Sequence, residues 1–281
     1  MSKEIKEVLV RILRTDNGRS WWAEYKVPFF EGMTVLDALN YIRERLDNTL
    51  AFRSHCRMGV CGSCAVVVNG KPRLACNTQI ARLGTDVVEL KPLYNFPVIR
   101  DLVVDLVDFF NKHRRMKPYL IRRDVKEREE PTREYRVTPE EFERYTQFTY
   151  CIMCGACVAA CPTVSADNLY PGPQALAQAY RYLADPRDEG WEERLRIVDD
   201  QHGVWRCHFA GACSYVCPKG VDPALAIQLL KKELFKYKLF KRRKKASEIV
   251  PPPEVKAPPK KQPPPFDYEF NIEEVIKYER E

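Results

Sequence analysis

The chain has 281 residues, 45% of them apolar, enough to bury a sizeable core, and its length favours two domains over one. The net charge of +7 is modest and gathers largely in one run, Lys241-Arg242-Arg243-Lys244-Lys245, so there is no basic face interleaved with aromatics of the kind nucleic-acid binding needs. No stretch approaches the roughly 18 uncharged apolar residues of a membrane span. Met1-Ser2-Lys3-Glu4 lacks the look of a signal or transit peptide, which makes an unprocessed, cytosolic protein the expectation.

The first hundred residues read as strand-rich. Val8, Val10 and Ile12 alternate within residues 5–13, Asp16-Asn17-Gly18 signals a turn, and residues 22–27 pair back as a second strand. Thr34, with Asp37 three residues on, caps a helix whose apolar stripe is Val35, Leu39, Ile42 and Leu46. Ala65 to Val68 is a strand ended by Asn69-Gly70, and Val87 to Leu90 is another. Two strands, a helix and more strands predict a β-grasp over residues 1–105.

From Asp101 the apolar period changes to about 3.6. Leu102, Val103, Leu106, Phe109 and Phe110 mark one helix, with others over Ala175 to Leu183 and Pro223 to Leu239, so residues 106–245 are expected to form an all-helical domain. The overall class is therefore α+β. Residues 246–281 are set apart by eight prolines within the fifteen residues 251–265, which predicts an extended or disordered tail.

Eleven cysteines in an unexported chain do not make a disulfide framework, and their number is odd. Their spacings point to metal. Cys56, Cys61 and Cys64 follow C-x4-C-x2-C, with Cys76 after eleven further residues, the plant-type pattern for a 2Fe-2S cluster. Gly59 and Gly62 let backbone amides turn toward the sulfurs. Structural zinc, the competing reading, usually takes two separated two-cysteine knuckles.

Cys151, Cys154, Cys157 and Cys161-Pro162 form the C-x2-C-x2-C-x3-C-P run of bacterial ferredoxins, in which the fourth cysteine ligates a different cluster. Cys207, Cys213 and Cys217-Pro218 supply the partner run, with Ala210 where a further cysteine would stand. Exchange of the last ligands predicts a 4Fe-4S cluster on Cys151, Cys154, Cys157 and Cys217. It leaves Cys161, Cys207 and Cys213 for a 3Fe-4S cluster, with an open-site 4Fe-4S cluster as the competing reading. Four, four and three use all eleven cysteines.

The stretches Arg53-Ser54-His55-Cys56-Arg57-Met58-Gly59-Val60-Cys61-Gly62-Ser63-Cys64, Cys151-Ile152-Met153-Cys154-Gly155-Ala156-Cys157 and Cys213-Ser214-Tyr215-Val216-Cys217-Pro218-Lys219-Gly220 resemble the iron-sulfur subunit of succinate dehydrogenase and fumarate reductase. The likeness extends to residues 101–105 and 180–188 and covers roughly residues 5–240. It implies an electron-transfer subunit of a succinate:quinone oxidoreductase, passing single electrons between FAD on a flavoprotein subunit and quinone at a membrane anchor. It further implies peripheral attachment at the cytoplasmic face of a prokaryotic cell membrane. In that family the 2Fe-2S cluster lies nearest flavin and the 3Fe-4S cluster nearest quinone, which places Pro162 and His208 in the quinone vicinity.

Substrate chemistry would then belong to the flavoprotein, consistent with the lack here of a G-x-G-x-x-G loop. The sequence departs from ubiquinone-using members in having no tryptophan shortly after Cys161-Pro162, which leans toward the fumarate-reductase-like branch. Trp205 is expected in the core. The alternatives are a cluster-carrying subunit of another flavoenzyme and a zinc-binding structural module.

Overall fold

The computed structural model describes residues 7–240 and 249–250. The expected tail lies outside the described residues except for that last pair. Strands β1 (Glu7–Asp16) and β2 (Arg19–Pro28) form an antiparallel hairpin. Its turn residues Asn17 and Gly18 both have positive φ, the geometry that matches the twist of two-residue hairpins. The same chemistry recurs at Asn69-Gly70 between β3 (Ala65–Val68) and β4 (Lys71–Leu74).

With β5 (Val87–Lys91) these strands make one sheet in the order β2-β1-β5-β3-β4, parallel only between β1 and β5. Helix α1 (Val35–Tyr41) starts from the expected capping box between Thr34 and Asp37. Val35, Leu36, Ala38 and Leu39 share one core with Val8, Val10 and Ile12 of β1. The last expected residue of the helical stripe, Leu46, is 48% exposed. The reason is a wider turn over Ile42–Leu46, closed by the Asp47 N–H bonding the Ile42 carbonyl, which rotates Leu46 off the buried face.

The helix expected from Leu102 begins only at α2 (Val107–Arg115). Residues 98–104 instead fold as a small hairpin, β6 (Val98–Arg100) with β7 (Val103–Val104). Asp101 dictates this. Fully buried and left-handed at φ 47, its carboxylate accepts from Arg14 Nε at 2.7 Å and from the Thr15 and Ala51 amides at 3.1 and 2.8 Å. An aspartate so fixed outweighs the helical periodicity around it.

The second region is built of α3 (Val125–Glu129), α4 (Pro139–Thr149), α5 (Ala156–Ala159), α6 (Pro162–Ala166), α7 (Pro173–Ala184), α8 (Trp191–Val198), α9 (Ala212–Tyr215) and α10 (Pro223–Phe240). Helix α7 is its buried centre, sharing an apolar core with α4, α8 and α10. One short ladder joins β8 (Glu134–Tyr135) to β9 (Ile249–Val250). A fully buried ion pair, Arg194 Nη1 to Asp188 Oδ1 at 2.5 Å, ties α8 to the loop before it, and Arg194 also donates to the carbonyls of Lys117 and Tyr119.

The two regions meet closely. The side-chain amide of Asn95, in the loop after β5, lies 2.9 Å from the Val158 carbonyl, 3.3 Å from that of Ala159 and 3.2 Å from that of Cys161. Phe96 and Phe109 stack edge to face beside α5, with ring centroids 5.9 Å apart. Among the described residues no helix is long and apolar enough to cross a membrane.

Candidate cluster-binding sites

All eleven cysteines are free thiols, and they fall into three groups. Cys56, Cys61 and Cys64 line the loop that leads into β3, and Cys76 follows β4 in a short 3-10 turn. Positive φ at Arg57, Gly59 and Gly62 turns the loop's amides toward sulfur. The Gly59 N–H donates to Cys76 Sγ at 3.2 Å, while those of Val60 and Cys61 donate to Cys56 Sγ at 3.3 Å each. Amide donors from Met58, Cys61 and Val60 pull the Cys56 thiol down to about 6. Burial pushes Cys64 the other way, to about 12. One sulfur is thus prepared as a thiolate, and the other ionises only when a cation compensates.

The second group is Cys151, Cys154 and Cys157, before and within α5, joined by Cys217 from the loop after α9. These four line one hollow with Gln174 and Ala177 of α7. Burial raises the thiols of Cys151, Cys154 and Cys157, that of Cys154 to about 11. The Val221 amide donates to Cys217 Sγ at 3.4 Å, and Gln174 Nε2 lies 3.9 Å from Cys151 Sγ.

The third group is Cys161, Cys207 and Cys213, which line a separate hollow with Pro162, Tyr170, Phe209 and Ala210. Burial raises Cys213 to about 11, and the Phe209 amide donates to Cys207 Sγ at 3.4 Å. The backbone of 207–213 repeats that of 151–157. Phe209 and Met153 are both left-handed, at φ 58 and 53, as are Gly211 and Gly155, at 73 and 81, and each loop runs into a four-residue helix. Ala210 therefore stands where Cys154 stands in the first copy.

The structure thus brings together the sequence-predicted sets, including the exchanged Cys161 and Cys217. Among the described residues no three His, Cys, Asp or Glu side chains are placed to hold a single metal ion. Sulfurs that ring hollows suit a multi-atom cluster, and backbone N–H···S donors are what such a cluster's negative charge requires.

The sites also adjoin one another. A Cβ added at Gly62 would meet the Ile152 carbonyl oxygen at 2.8 Å and Cys154 Cβ at 3.0 Å, so the first loop rests on the second. Cys157 and Cys213 share a small apolar cluster with Phe109, Val158 and Ala224, which joins the second site to the third.

Pro162 lines the third hollow, whereas His208 is exposed and does not line it. Trp205, expected in the core, is 45% exposed. Its indole N–H donates to Asp199 Oδ1 at 2.7 Å and the Lys238 ammonium lies over its ring, so polar and cationic partners hold it at the surface. Sequence reasoning passed over Tyr170, Gln174 and Asn95, because none belongs to a cysteine motif and only folding brings them to the sulfurs or across the joint.

Comparison with known proteins gives two family models, a 2Fe-2S iron-sulfur cluster binding domain over residues 8–111 and a 4Fe-4S dicluster domain over residues 147–221. The fumarate reductase iron-sulfur subunit of Mycobacterium tuberculosis is 47% identical over 207 residues, covering 74% of this chain and 83% of that protein. The succinate dehydrogenase iron-sulfur subunit of Paracoccus denitrificans is 41% identical over 202 residues, covering 71% and 76%. Among solved structures, the Mycobacterium smegmatis Sdh1 complex in the apo form contains a chain that superposes with a TM-score of 0.75 at 28% identity. The match covers 83% of this chain and 97% of that one.

Proposed function

The chain belongs to the iron-sulfur subunits of fumarate reductase and succinate dehydrogenase, and on that premise we propose how its eleven cysteines divide and where its electrons enter and leave. It is an electron-transfer protein that carries 2Fe-2S, 4Fe-4S and 3Fe-4S clusters. Each cluster, when bound, takes up and releases one electron at a time, which lets a two-electron flavin and a two-electron quinone be connected.

Cys56, Cys61, Cys64 and Cys76 hold the 2Fe-2S cluster, and Cys151, Cys154, Cys157 and Cys217 the 4Fe-4S cluster. Cys161, Cys207 and Cys213 hold the 3Fe-4S cluster. The observation that carries this division is the third hollow, where three thiols face Ala210 at the place a fourth would occupy. The amides of Gly59, Val60, Cys61, Phe209 and Val221 offset thiolate charge. Gly62 against Cys154, and Cys157 beside Cys213, bring the three sites into contact through protein.

The two ends of this path are apolar and exposed. Met58 and Val60 project from the first loop, and Phe209 from the third hollow. They fit docking on a flavoprotein subunit at one end and on a quinone-binding membrane anchor at the other. The protein would then attach peripherally at the cytoplasmic face of the membrane, with Pro162 nearer the quinone than His208.

Electron paramagnetic resonance of the purified complex tests the division. A 3Fe-4S signal is expected in the oxidised state and a 2Fe-2S signal after reduction. Iron-replete protein without the first signal would refute the assignment of Cys161, Cys207 and Cys213, and stoichiometric zinc without visible absorption would favour the structural module.

A further inference from the structure

Tyr170 lies between α6 and α7 and is only 1% exposed, yet its hydroxyl has no hydrogen-bond partner among the described residues. A buried hydroxyl left unpaired is costly, and proteins rarely keep one without a use for it. The ring is held firmly. The Tyr170 amide bonds the Asp167 carbonyl, Asp167 is pinned by His202 Nδ1 at 2.8 Å and Arg206 Nε at 3.2 Å, and Pro171, Gly172 and Pro173 follow. The hydroxyl faces the third hollow, which Tyr170 lines together with Cys161, Cys207 and Cys213. Its ionisable neighbours there are the thiols of Cys207, Cys161 and Cys213, and Thr163 also lines the hollow.

We propose that the Tyr170 hydroxyl donates a hydrogen bond into the iron-sulfur group held by Cys161, Cys207 and Cys213, to Cys207 Sγ or a sulfide beside it, and thereby raises that group's reduction potential. The inference rests on the ligand assignment proposed above. A reduced cluster carries one more negative charge than an oxidised one, so a fixed O–H dipole stabilises the reduced form more and shifts the couple upward. The second site has a longer side-chain donor, Gln174 Nε2 at 3.9 Å from Cys151 Sγ, whose amide also reaches His113 Nδ1 at 3.1 Å. The tyrosine therefore widens the step in potential between the second and third sites. Tyr170 is a positioning and tuning residue; it ligates nothing.

The test is a redox titration of the assembled complex, following the oxidised 3Fe-4S signal by electron paramagnetic resonance. Tyr170→Phe keeps the ring and removes the donor. At a fixed ambient potential the oxidised-to-reduced ratio of that cluster should rise about tenfold, a fall in midpoint of about 59 mV for a one-electron couple, while the 2Fe-2S midpoint stays in place. Incorporating 3-fluorotyrosine at position 170 makes the hydroxyl a stronger donor and should move the midpoint upward.

Opposite shifts from the two replacements are the signature of a hydrogen bond, which a packing role would not produce. An unchanged midpoint in Tyr170→Phe, or shifts of the same sign, overturns the proposal. If Tyr170→Phe loses the cluster, the fluorotyrosine protein decides alone: a rise supports the hydrogen bond and no change refutes it. A wild-type complex with no 3Fe-4S signal would instead refute the ligand assignment.

Discussion

Gly62 and Cys154 approach so closely that a methyl group on the glycine would lie 3.0 Å from the cysteine Cβ. Beside it the Ile152 carbonyl oxygen would be at 2.8 Å, and backbone cannot swing aside as a side chain can. Gly62→Ala should therefore push the first cysteine loop off the second. It also adds about 1–2 kcal/mol of strain from a left-handed alanine. Transfer between the 2Fe-2S and 4Fe-4S clusters should slow, and the reduced 2Fe-2S spin should relax more slowly because its magnetic neighbour is farther away. Power saturation of that signal measures the effect. Unaltered relaxation in a variant with both clusters intact would show that the contact does not set their separation.

Ala210→Cys should supply the missing fourth thiolate. The backbone there already has the left-handed residues and the helix start found around Cys154, so no refolding is needed. The oxidised 3Fe-4S signal should disappear, a reduced 4Fe-4S signal should replace it, and the potential should fall because a thiolate adds negative charge. A persistent 3Fe-4S signal with its wild-type midpoint would count against the missing-ligand reading.

Ligand exchange across the pseudo-repeat makes an asymmetric forecast. Cys217→Ser should damage the 4Fe-4S cluster although it lies only four residues beyond Cys213. Cys161→Ser should damage the 3Fe-4S cluster although it belongs to the first run. Iron content and the two spin signals separate these outcomes. Damage confined to the cluster of the residue's own run would overturn the exchange.

Stability in the second region should depend heavily on Arg194. Arg194→Ala removes the guanidinium from the fully buried Asp188 carboxylate and from the Lys117 and Tyr119 carbonyls, a loss of about 3–5 kcal/mol by analogy with other broken buried pairs. Urea unfolding followed by circular dichroism reads it, and a loss under 1 kcal/mol would mean that the site refills with water at little cost.

Asp47 gives the first region an acid limit. Thr49 Oγ1 at 2.6 Å, Tyr25 Oη at 2.8 Å and Arg14 Nη1 at 2.6 Å all donate to its carboxylate and hold its pKa well below the usual range. A folded value below the unfolded one, about 3.9, means that the stabilisation is complete above that pH and fades as pH falls toward the folded value. Asp47→Asn should therefore cost about 1–3 kcal/mol at pH 7 and progressively less below pH 4, when the two proteins are compared by thermal unfolding across pH. A difference that does not narrow in acid would assign Asp47 a role independent of its charge.

Wherever local chemistry decides, the sequence is enough. The hairpin at Asn17-Gly18, the Thr34 capping box, the strands at residues 65–68 and 87–90 and the nearness of the cysteines within each run follow from spacing and turn residues. The departures come where a distant partner intervenes. Asp101 is claimed by Arg14 and two amides from far along the chain, which turns a helical pattern into a hairpin. Leu46 leaves its face when the helix widens, and Trp205 stays outside because Asp199 and Lys238 engage it. Tyr170 was invisible for the same reason: an apolar-looking aromatic nine residues past Cys161 carries no mark of what its hydroxyl will face.

Asn95 finally bears on how the protein is made. Its amide nitrogen sits within 3.3 Å of the carbonyls of Val158, Ala159 and Cys161, so the turn that delivers the exchanged cysteine is braced by a residue from the sheet region. The helical region accordingly draws one of its braces from the sheet region. During synthesis the earlier half emerges first and can fold before residues 151–161 leave the ribosome. It then serves as the template on which the later cysteines are arranged, and cluster loading in the second half becomes contingent on correct folding of the first.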